Sequence, residues 1–318
     1  MSEPVLRVVA ADAADDVLAV IRASFGARPP LDPPTEALAE TSESLAAELG
    51  EHGGILATVD GEPVGSLVFD RTGPGLLVRR FGVVPGAQGA GIARRLVSAA
   101  EEWARAAGFS GIRVKARMEL PETLRFWEHH GYVRSGRVGV TARLVKVFPV
   151  RGRLVTPDDT RGLGRRVGRL LRAGDLLLLS GDLGAGKTTF TQGLGVALGV
   201  RGEVTSPTFV IARVHPSPVG GPDLVHVDAY RLGGIDELDD LDLDTSLGEA
   251  VTVVEWGEDV AEGLADERLE IRLVRRLGTD PVEPAGAQED HDPREAEVRA
   301  VGLRWLDTGL SGLFDPAD

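Results

Sequence analysis

The chain has 318 residues, 42% of them hydrophobic, and a formal net charge of −14, which allows two ordinary domains with packed cores. It contains no cysteine, which excludes disulfides, thiolate metal sites and thiol catalysis. No apolar run approaches the ~18 residues of a membrane span, and the N-terminus lacks the basic and apolar regions of a signal peptide, so we expect a cytoplasmic protein with no membrane contact.

The first half of the sequence predicts an alternation of strands and helices. The expected strands cover 5–9, 54–60, 63–70, 76–84 and 111–115, with a terminal strand pair within 132–148. The expected helices cover 13–24, 35–49, 89–107 and 121–130. We therefore predict a mixed sheet with flanking helices over residues 1–150, an α/β domain.

The second half predicts another α/β domain, over residues 151–318. The expected strands cover 152–156, 176–180, 209–214, 224–228 and 251–255, followed by a closing pair at 269–275 and 298–303. The expected helices cover 158–172 and 187–198. Between the closing strands, residues 278–293 are rich in Pro, Gly and acids, which favours a mobile loop.

A phosphate-binding pattern follows the fully apolar strand 176–180. Gly181, Gly186, Lys187 and Thr188 match G-x-x-x-x-G-K-[ST], and a helix follows. In such a loop the backbone N–H groups surround phosphate oxygens, the lysine reaches the β- and γ-phosphates, and the hydroxyl binds Mg²⁺. The alternative is a glycine-rich turn that only caps a helix. The residues predicted to contact ATP here are Asp182, Leu183, Gly184, Ala185, Gly186, Lys187, Thr188 and Thr189.

Two acids end neighbouring apolar strands. Asp228 ends the run LVHVD, and Glu255 ends the run VTVVE. Because ligands collect at the carboxyl ends of parallel strands, both carboxylates are expected to face the phosphates and to help hold Mg²⁺. Two ordinary acids at strand ends are the competing interpretation.

Four segments together resemble the TsaE (YjeE) family, the ATPase subunit of bacterial tRNA threonylcarbamoyladenosine synthesis. They are GDLGAGKTTF at 181–190, SPTF at 206–209, HVDAYRL at 226–232 and VEW at 254–256. The resemblance covers residues 151 to about 275, with a weaker final strand reaching Trp305. It implies a P-loop ATPase with Lys187, Thr208, Asp228 and Glu255 in catalysis and with Thr188, Asp228 and Glu255 at the metal.

The same resemblance implies further roles for single residues. The Thr208 hydroxyl would sense the γ-phosphate from a switch-like loop. Thr156 and Thr160 would lie where the N-terminal segment of the family approaches the nucleotide. Trp256 would stack on the nucleotide or on a partner, or would pack in the core. Tyr230 and Arg231, in the third segment, are expected to be structural or partner-facing.

The TsaE resemblance also implies partners. In this family the ATPase binds the tRNA-modifying threonylcarbamoyl transferase subunit and its paralogue, and supports transfer to adenosine 37 of tRNA. Residues 151–318 contain 18 Lys and Arg against 31 Asp and Glu, a balance that is poorly suited to gripping a phosphate backbone. We therefore expect contact with tRNA only through the partners. A P-loop NTPase that regulates cell-wall synthesis or ribosome function is the alternative.

The first half carries a second glycine-rich loop, at 83–93 with the sequence VVPGAQGAGIA. Gln88, Gly91 and Ala93 occupy the marked positions of Q-x-x-G-x-[GA], so the loop resembles the coenzyme A loop of the GNAT acetyltransferase superfamily, and the resemblance extends over about residues 5–148. Small residues let N–H groups at a helix start approach a pyrophosphate. The residues predicted to contact acetyl-CoA are Val83, Val84, Gln88, Gly89, Ala90, Gly91, Ile92 and Ala93.

This half departs from the GNAT pattern where a proton donor is needed. Trp127 stands where many members have a tyrosine that protonates the leaving thiolate, and an indole cannot do so. Glu119, Glu122 and His129 are candidate bases on location alone. The domain is therefore either an N-acetyltransferase acting on an amine or a protein N-terminus, or a non-catalytic coenzyme-binding or docking module.

Overall fold

The computed structural model describes residues 2–207, 211–229, 248–256, 265–275 and 293–315. The chain divides into two compact units, Met1–Lys146 and Val147–Asp318, close to the boundary expected near Val150. Each unit is built on a seven-stranded sheet. Within the described ranges, no helix is both long and apolar enough to cross a membrane.

The first unit contains a mixed sheet in the order β1-β2-β3-β4-β5-β7-β6. Its strands are β1 (Val5–Val9), β2 (Gly54–Val59), β3 (Glu62–Asp70), β4 (Leu76–Val83), β5 (Gly111–Arg117), β6 (Val133–Val138) and β7 (Thr141–Val147). Its helices are α1 (Ala14–Gly26), α2 (Ser42–His52), α3 (Ile92–Ala106) and α4 (Pro121–His129).

Helices cover both faces of this sheet, because successive residues of a strand point to opposite sides. Val68 of β3 belongs to the core formed with α1 and α2, which includes Ile21 and Leu45. The next residue, Phe69, stacks on Trp103 of α3 with ring centroids 4.3 Å apart. The sheet therefore forms the middle layer of the unit.

Strands β4 and β5 separate at one end of the sheet. They pair in parallel only from Leu76↔Ile112 to Val78↔Val114. Beyond this point β4 carries an irregularity: its register against β3 shifts, and Arg80 has a φ of +52°. A strand that is bulged in this way bends away from its neighbour, and a cleft opens between β4 and β5.

Two predicted helices of this unit are shorter than expected. The helix expected over 35–49 is split, because the Thr35 side chain caps a short 3-10 turn and Thr41 then caps α2. The helix expected from residue 89 begins at Ile92, because Gly89 and Gly91 have φ values of +79° and +77°, outside the helical region. The glycines thus form a loop before the helix.

The second unit contains a sheet in the order β10-β11-β12-β9-β13-β14-β8. Its strands are β8 (Val150–Leu154), β9 (Leu176–Ser180), β10 (Ala212–His215), β11 (Asp223–Asp228), β12 (Ala250–Glu255), β13 (Arg268–Arg275) and β14 (Arg294–Val301). Among the described residues, its helices are α5 (Pro157–Gly168) and α6 (Lys187–Leu198). Strands β11, β12, β9 and β13 are parallel, and β13 and β14 form the expected antiparallel closing pair.

Helix α5 ends earlier than the predicted residue 172. The amides of Leu170 and Leu171 bond to the carbonyls of Val167 and Gly168, so the chain tightens into i→i−3 turns after the helix. Predicted loop 278–293 lies outside the described residues except for Pro293, and Thr208, Tyr230 and Arg231 also lie outside them.

Helices α5 and α6 pack with their backbones in close contact. A Cβ at Gly193 of α6 would overlap the Arg161 carbonyl of α5, and a Cβ at Gly164 would overlap the Phe190 carbonyl. Only glycine fits at these two positions. This contact fixes the helix that begins at Lys187.

Candidate functional site

The loop between β9 and α6 has the backbone that its glycines permit. Gly181, Gly184 and Gly186 have φ values of +138°, +79° and +101°, which side chains with a Cβ rarely adopt. Leu183 is 92% exposed at the tip of the loop, and Gly186 is the N-cap of α6. An open loop therefore lies at a helix N-terminus, the end of a helix that attracts anions.

The Lys187 side chain is folded over this loop. Its Nζ atom donates to the carbonyl oxygens of Gly181 at 2.7 Å and Asp182 at 3.2 Å, and only 6% of the residue is exposed. Burial lowers the pKa of Lys187, while the charges of Glu255, Asp228 and Asp182 oppose that shift. The lysine is thus a desolvated cation held between loop carbonyls and carboxylates.

Asp228 and Glu255 lie side by side. They are directly opposite each other in the parallel ladder of β11 and β12, and both are buried. The charges of both acids raise the pKa of Lys187 against the lowering caused by burial. The structure therefore brings together the lysine and the two acids that the sequence predicted for one site.

His226 belongs to this site and was missed as a site residue in the sequence analysis. Its Nε2 atom lies 2.9 Å from Oε1 of Glu255, and the imidazole is fully buried. It sits two residues before Asp228 on β11, so both side chains point to the same face of the sheet. The two-residue spacing from Asp228 on the strand was the sequence signal that could have identified His226. In the site, His226 fixes the orientation of the Glu255 carboxylate.

Trp256 contacts the lysine. Its ring centroid lies 3.9 Å from Nζ of Lys187, a cation–π distance. Trp256 has a φ of +61°, and its N–H donates to Leu179 of β9 at 3.1 Å. The ring is therefore placed beside Lys187 by a turn directly after Glu255.

The two threonines of the N-terminal segment differ in position. The Thr156 side chain accepts from the amide of Asp159 at 3.1 Å and caps α5. Thr160 is fully buried, and its methyl group would lie 3.5 Å from a Cβ at Gly186. Thr160 thus adjoins the P-loop, whereas the Thr156 hydroxyl is used by the helix cap.

Arg294 is a second residue that the sequence analysis missed. Its Nε atom donates to the carbonyl of Ala185 at 2.7 Å, and the residue is buried. It is the first residue of β14 and lies 109 positions from Ala185 along the chain, so no local pattern could have identified it. Arg294 thus holds the P-loop backbone at Ala185.

The predicted coenzyme loop of the first unit is open as well. Residues 88–91 are exposed, and α3 begins directly after them at Ile92. The Gln88 side chain donates to the Val83 carbonyl at 3.3 Å, and a Cβ at Gly89 or Gly91 would meet nothing within 4 Å. The helix N-terminus is thus accessible to a large ligand.

A cleft of about 1080 Å³ lies in this unit, lined by residues of β4, β5, α4 and the segment after α1. Trp127 is among the lining residues; its ring packs against Phe81 at 4.9 Å and Tyr132 at 4.9 Å. Burial, followed by the charge of Glu101 and a hydrogen bond with it, raises the pKa of Tyr132 well above its ordinary value, so this tyrosine is a poor proton donor.

The candidate bases lie elsewhere. Of the residues that the structure describes, those lining the cleft do not include Glu119, Glu122 or His129. Glu119 is paired with Arg117 at 2.8 Å, and the hydrogen bond from Arg117 lowers the pKa of its carboxyl. A carboxylate with a lowered pKa is a weaker base. The cleft therefore provides a surface for binding, and none of the three candidate bases lines it.

Comparison with known proteins identifies the second half. A family model described as "Threonylcarbamoyl adenosine biosynthesis protein TsaE" matches residues 154–280. The TsaE protein of Streptomyces coelicolor is 58% identical over 154 residues, which cover 48% of this chain and 98% of the relative. The TsaE protein of Mycobacterium tuberculosis is 53% identical over 125 residues, which cover 37% of this chain and 74% of the relative. The crystal structure of Bacillus subtilis YdiB is 35% identical with a TM-score of 0.38, and the match covers 50% of this chain and 89% of that one.

The first half matches another family. The model of the acetyltransferase (GNAT) family matches residues 18–132. A PaiA N-acetyltransferase from Thermoplasma acidophilum, solved in complex with coenzyme A, is 14% identical with a TM-score of 0.42 and covers 46% of this chain and 100% of that one. Both families consist of enzymes, and both domains are α/β, as the sequence predicted. The chain belongs to the TsaE family of tRNA threonylcarbamoyladenosine biosynthesis, and residues 18–132, which precede the TsaE match, are similar to the GNAT acetyltransferase family.

Proposed function

We propose that the second domain binds ATP with Mg²⁺ and hydrolyses it to support threonylcarbamoyl transfer to adenosine 37 of tRNA. The observation that carries this proposal is the convergence of Lys187, Asp228 and Glu255 on one glycine-bounded loop. Membership of the TsaE family supplies the pathway. This role would place the chain in the cytoplasm.

The residues at the loop divide the work of binding. When phosphate enters, the Nζ atom of Lys187 exchanges the carbonyls of Gly181 and Asp182 for phosphate oxygens, which are stronger partners. The backbone of the exposed residues 182–184 and the N-terminus of α6 add neutral donors. Arg294 holds the Ala185 carbonyl, so the loop keeps its shape during this exchange.

The donors at the site fit Mg²⁺. The Thr188 hydroxyl and the carboxylates of Asp228 and Glu255 are oxygen ligands, which this cation prefers. Within the described ranges, no group of three or more His, Cys, Asp or Glu could hold a metal by itself. Mg²⁺ commonly takes the rest of its ligands from substrate phosphates and water, and once bound it neutralises phosphate charge. His226 keeps the Glu255 carboxylate in place.

Two roles rest on the family resemblance. Thr208 senses the γ-phosphate from the SPTF segment, and Trp256, already beside Lys187, stacks on a partner or on the nucleotide. The partners are the threonylcarbamoyl transferase subunit and its paralogue, and tRNA is reached through them. The excess of 31 acids over 18 basic residues in 151–318 supports that division.

Hydrolysis measurements with and without partners test this proposal. The full chain would be assayed for ATP turnover alone, with the purified transferase subunit, and with the subunit and its paralogue together. We expect slow turnover alone and stimulation by the pair. Equal turnover in all three samples would contradict the tRNA role and favour the alternative, a P-loop NTPase that regulates cell-wall synthesis or ribosome function.

For the first domain, we propose that the loop at 88–91 binds the pyrophosphate of acetyl-CoA and that the acetyl group is transferred to an amine or a protein N-terminus. The observation that carries this is an open helix N-terminus in the same unit as a cleft between separating strands β4 and β5. Trp127 cannot donate a proton, so catalysis relies on positioning of the reactants.

Calorimetry with acetyl-CoA distinguishes this function from a scaffold. Heat of binding that saturates at one site per chain would support a coenzyme site, whereas the absence of heat would contradict it. Acetyl transfer to a panel of amines and peptides then separates an enzyme from a coenzyme-binding or docking module. The module is the second candidate, because neither Trp127 nor Tyr132 can act as the acid.

A further inference from the structure

Basic residues outnumber acids in the lining of the cleft in the first unit. Its lining includes seven arginine and lysine residues and two acids, Glu36 and Asp70. This contrasts with residues 1–150 as a whole, where 17 basic residues are balanced by 18 acids. The positive side chains are therefore concentrated at the cleft, where they set the potential that a ligand meets.

Three of the arginines are already neutralised. Each has a glutamate within ion-pair distance, and these glutamates lie outside the lining. The pairs are Arg79 with Glu48 at 3.1 Å, Arg80 with Glu40 at 2.8 Å from Nε, and Arg117 with Glu119 at 2.8 Å. Such pairs shape the wall of the cleft, but their positive charge is not available in full to a ligand.

Arg28 is held differently. Its guanidinium lies 3.7 Å from the centroid of the Phe25 ring and donates to the Phe81 carbonyl at 3.3 Å. In the part of the chain that the structure describes, no carboxylate forms an ion pair with it. Burial lowers the pKa of Arg28, yet a guanidinium remains charged in proteins. A partly desolvated cation without a counter-ion is unfavourable, and an incoming anion would remove that penalty.

Of the three remaining basic residues, Arg113 donates to the Thr72 carbonyl at 2.9 Å, and two are cations at the surface of the cleft. Lys115 of β5 and Arg143 of β7 are both exposed, and neither has a carboxylate partner among the residues described. They stand on neighbouring strands. Phe81, which accepts from Arg28, lies on β4 beyond the point where β4 and β5 separate. The unneutralised charge thus surrounds the opening between those strands.

We propose that the acetyl acceptor of this domain is an amine that carries a carboxylate or phosphate group, and that Arg28 binds this group. The inference rests on the proposed acetyltransferase function and adds the class of substrate. A guanidinium matches the two oxygens of either anion with paired N–H donors. A neutral amine would leave Arg28 without a counter-ion, and a polyamine would meet like charge.

Matched acceptor pairs test the proposal with the full chain and acetyl-CoA. The pairs are β-alanine with β-alaninamide and phosphoethanolamine with ethanolamine, and kcat/KM is compared within each pair. Arg28→Gln is the test variant. Arg22→Gln is its control, because Arg22 is an exposed arginine of the preceding helix α1 and lies outside the cleft lining.

The expected result is a preference for the anionic member of at least one pair. Loss of one charged hydrogen-bonding partner is commonly a loss of about 10- to 100-fold in affinity, so Arg28→Gln should reduce the preference by that factor. Arg22→Gln should leave it unchanged. Comparing each variant with the wild type cancels the different basicity of the amines. The pair in which the anionic member is preferred shows whether Arg28 binds a carboxylate or a phosphate.

Several results would overturn the proposal. They are equal kcat/KM within both pairs, a loss in Arg28→Gln that is the same for anionic and neutral acceptors, and acetyl-CoA binding without transfer to either anionic amine. If Arg28→Gln weakens acetyl-CoA binding in calorimetry by the same factor, then Arg28 serves the coenzyme and the acceptor assignment fails. Absence of any acetyl-CoA binding would instead contradict the acetyltransferase function itself.

Discussion

The two domains share a loop backbone that suits an anion, but the side chains around the two loops differ. In each, glycines at positive φ precede a helix that begins at Lys187 or at Ile92. The P-loop is enclosed by a buried lysine, two buried carboxylates and a buried arginine. The loop at 88–91 is exposed, and Gln88 bonds to the backbone of its own segment.

This difference shows what a phosphate loop needs for binding and what it needs for chemistry. Backbone amides at a helix start suffice to bind a diphosphate. Breaking a phosphate bond also requires charges that stabilise the transition state. The P-loop is surrounded by such charged side chains. In the function that we propose for the first domain, the chemistry belongs to acetyl-CoA and the acceptor, so the cleft, rather than the loop, would have to supply specificity.

Removal of the P-loop lysine should have the largest effect on activity. Lys187→Ala deletes the only ammonium among the described residues at the loop, so we expect ATP turnover to fall roughly 100- to 1000-fold, as for other transition-state donors. Steady-state hydrolysis measures it, and circular dichroism checks the fold. Lys115→Ala, in the other domain, is the control. Turnover retained in Lys187→Ala would refute the phosphate role.

The glycine contact between α5 and α6 should be the next most sensitive feature. A Cβ at Gly193 overlaps the Arg161 carbonyl, and relief requires the helices to separate. We expect Gly193→Ala to reduce the free energy of unfolding by about 2–3 kcal/mol, as overpacking of cores does, seen as a lower denaturation midpoint.

Gly162→Ala on α5 is the matched control, because its Cβ would meet only the flexible ends of Arg166 and Arg165. It should be neutral or stabilising, since alanine favours helix more than glycine. Equal effects of the two substitutions would show that the close approach of the backbones does not limit stability.

The coenzyme loop should respond to backbone strain alone. Gly91 has a φ of +77°, and a Cβ there would meet nothing within 4 Å, so Gly91→Val strains the loop backbone while its Cβ meets no neighbour. We expect about tenfold weaker acetyl-CoA binding in calorimetry, in line with about 1–3 kcal/mol for a residue held in a disfavoured region.

Gly108→Val controls for this strain at the far end of α3. Its φ is +82°, and a Cβ there also meets nothing within 4 Å. Both substitutions should cost similar stability, but only Gly91→Val should weaken coenzyme binding. If both weaken it equally, then the loop has no specific role and the coenzyme assignment loses its support.

The sequence predicted those features that depend on neighbouring residues. β9 and α6 were predicted at their observed bounds, because an apolar run and a Gly-Lys-Thr start are local signals. The meeting of Asp228 and Glu255 followed from two strand ends in a parallel sheet. The helix start predicted at residue 89 is wrong, because sequence propensity does not reveal the positive φ of a glycine. The helix predicted over 35–49 is split, because two threonines cap separate segments.

The residues that were missed are those brought in by the order of the strands or by a long connection. His226 reaches Glu255 across 29 positions and Arg294 reaches Ala185 across 109. Arg28 reaches Phe81 across 53. None of these pairs has a sequence spacing that predicts contact. Each is a polar group whose partner is set by the sheet, which is why the sequence predicted the loops better than their surroundings.

Arg294 supplies the smallest expected effect and the finest test of the comparison. Arg294→Lys keeps a positive charge beside the P-loop but loses the Nε donor to Ala185. One lost hydrogen bond is about 1 kcal/mol, so ATP affinity should fall roughly fivefold in a binding titration. Arg299→Lys, at an exposed arginine of the same strand, should change nothing. If the two variants bind ATP alike, then the P-loop keeps its shape without Arg294, and the enclosure that distinguishes it from the coenzyme loop reduces to Lys187 and the two acids.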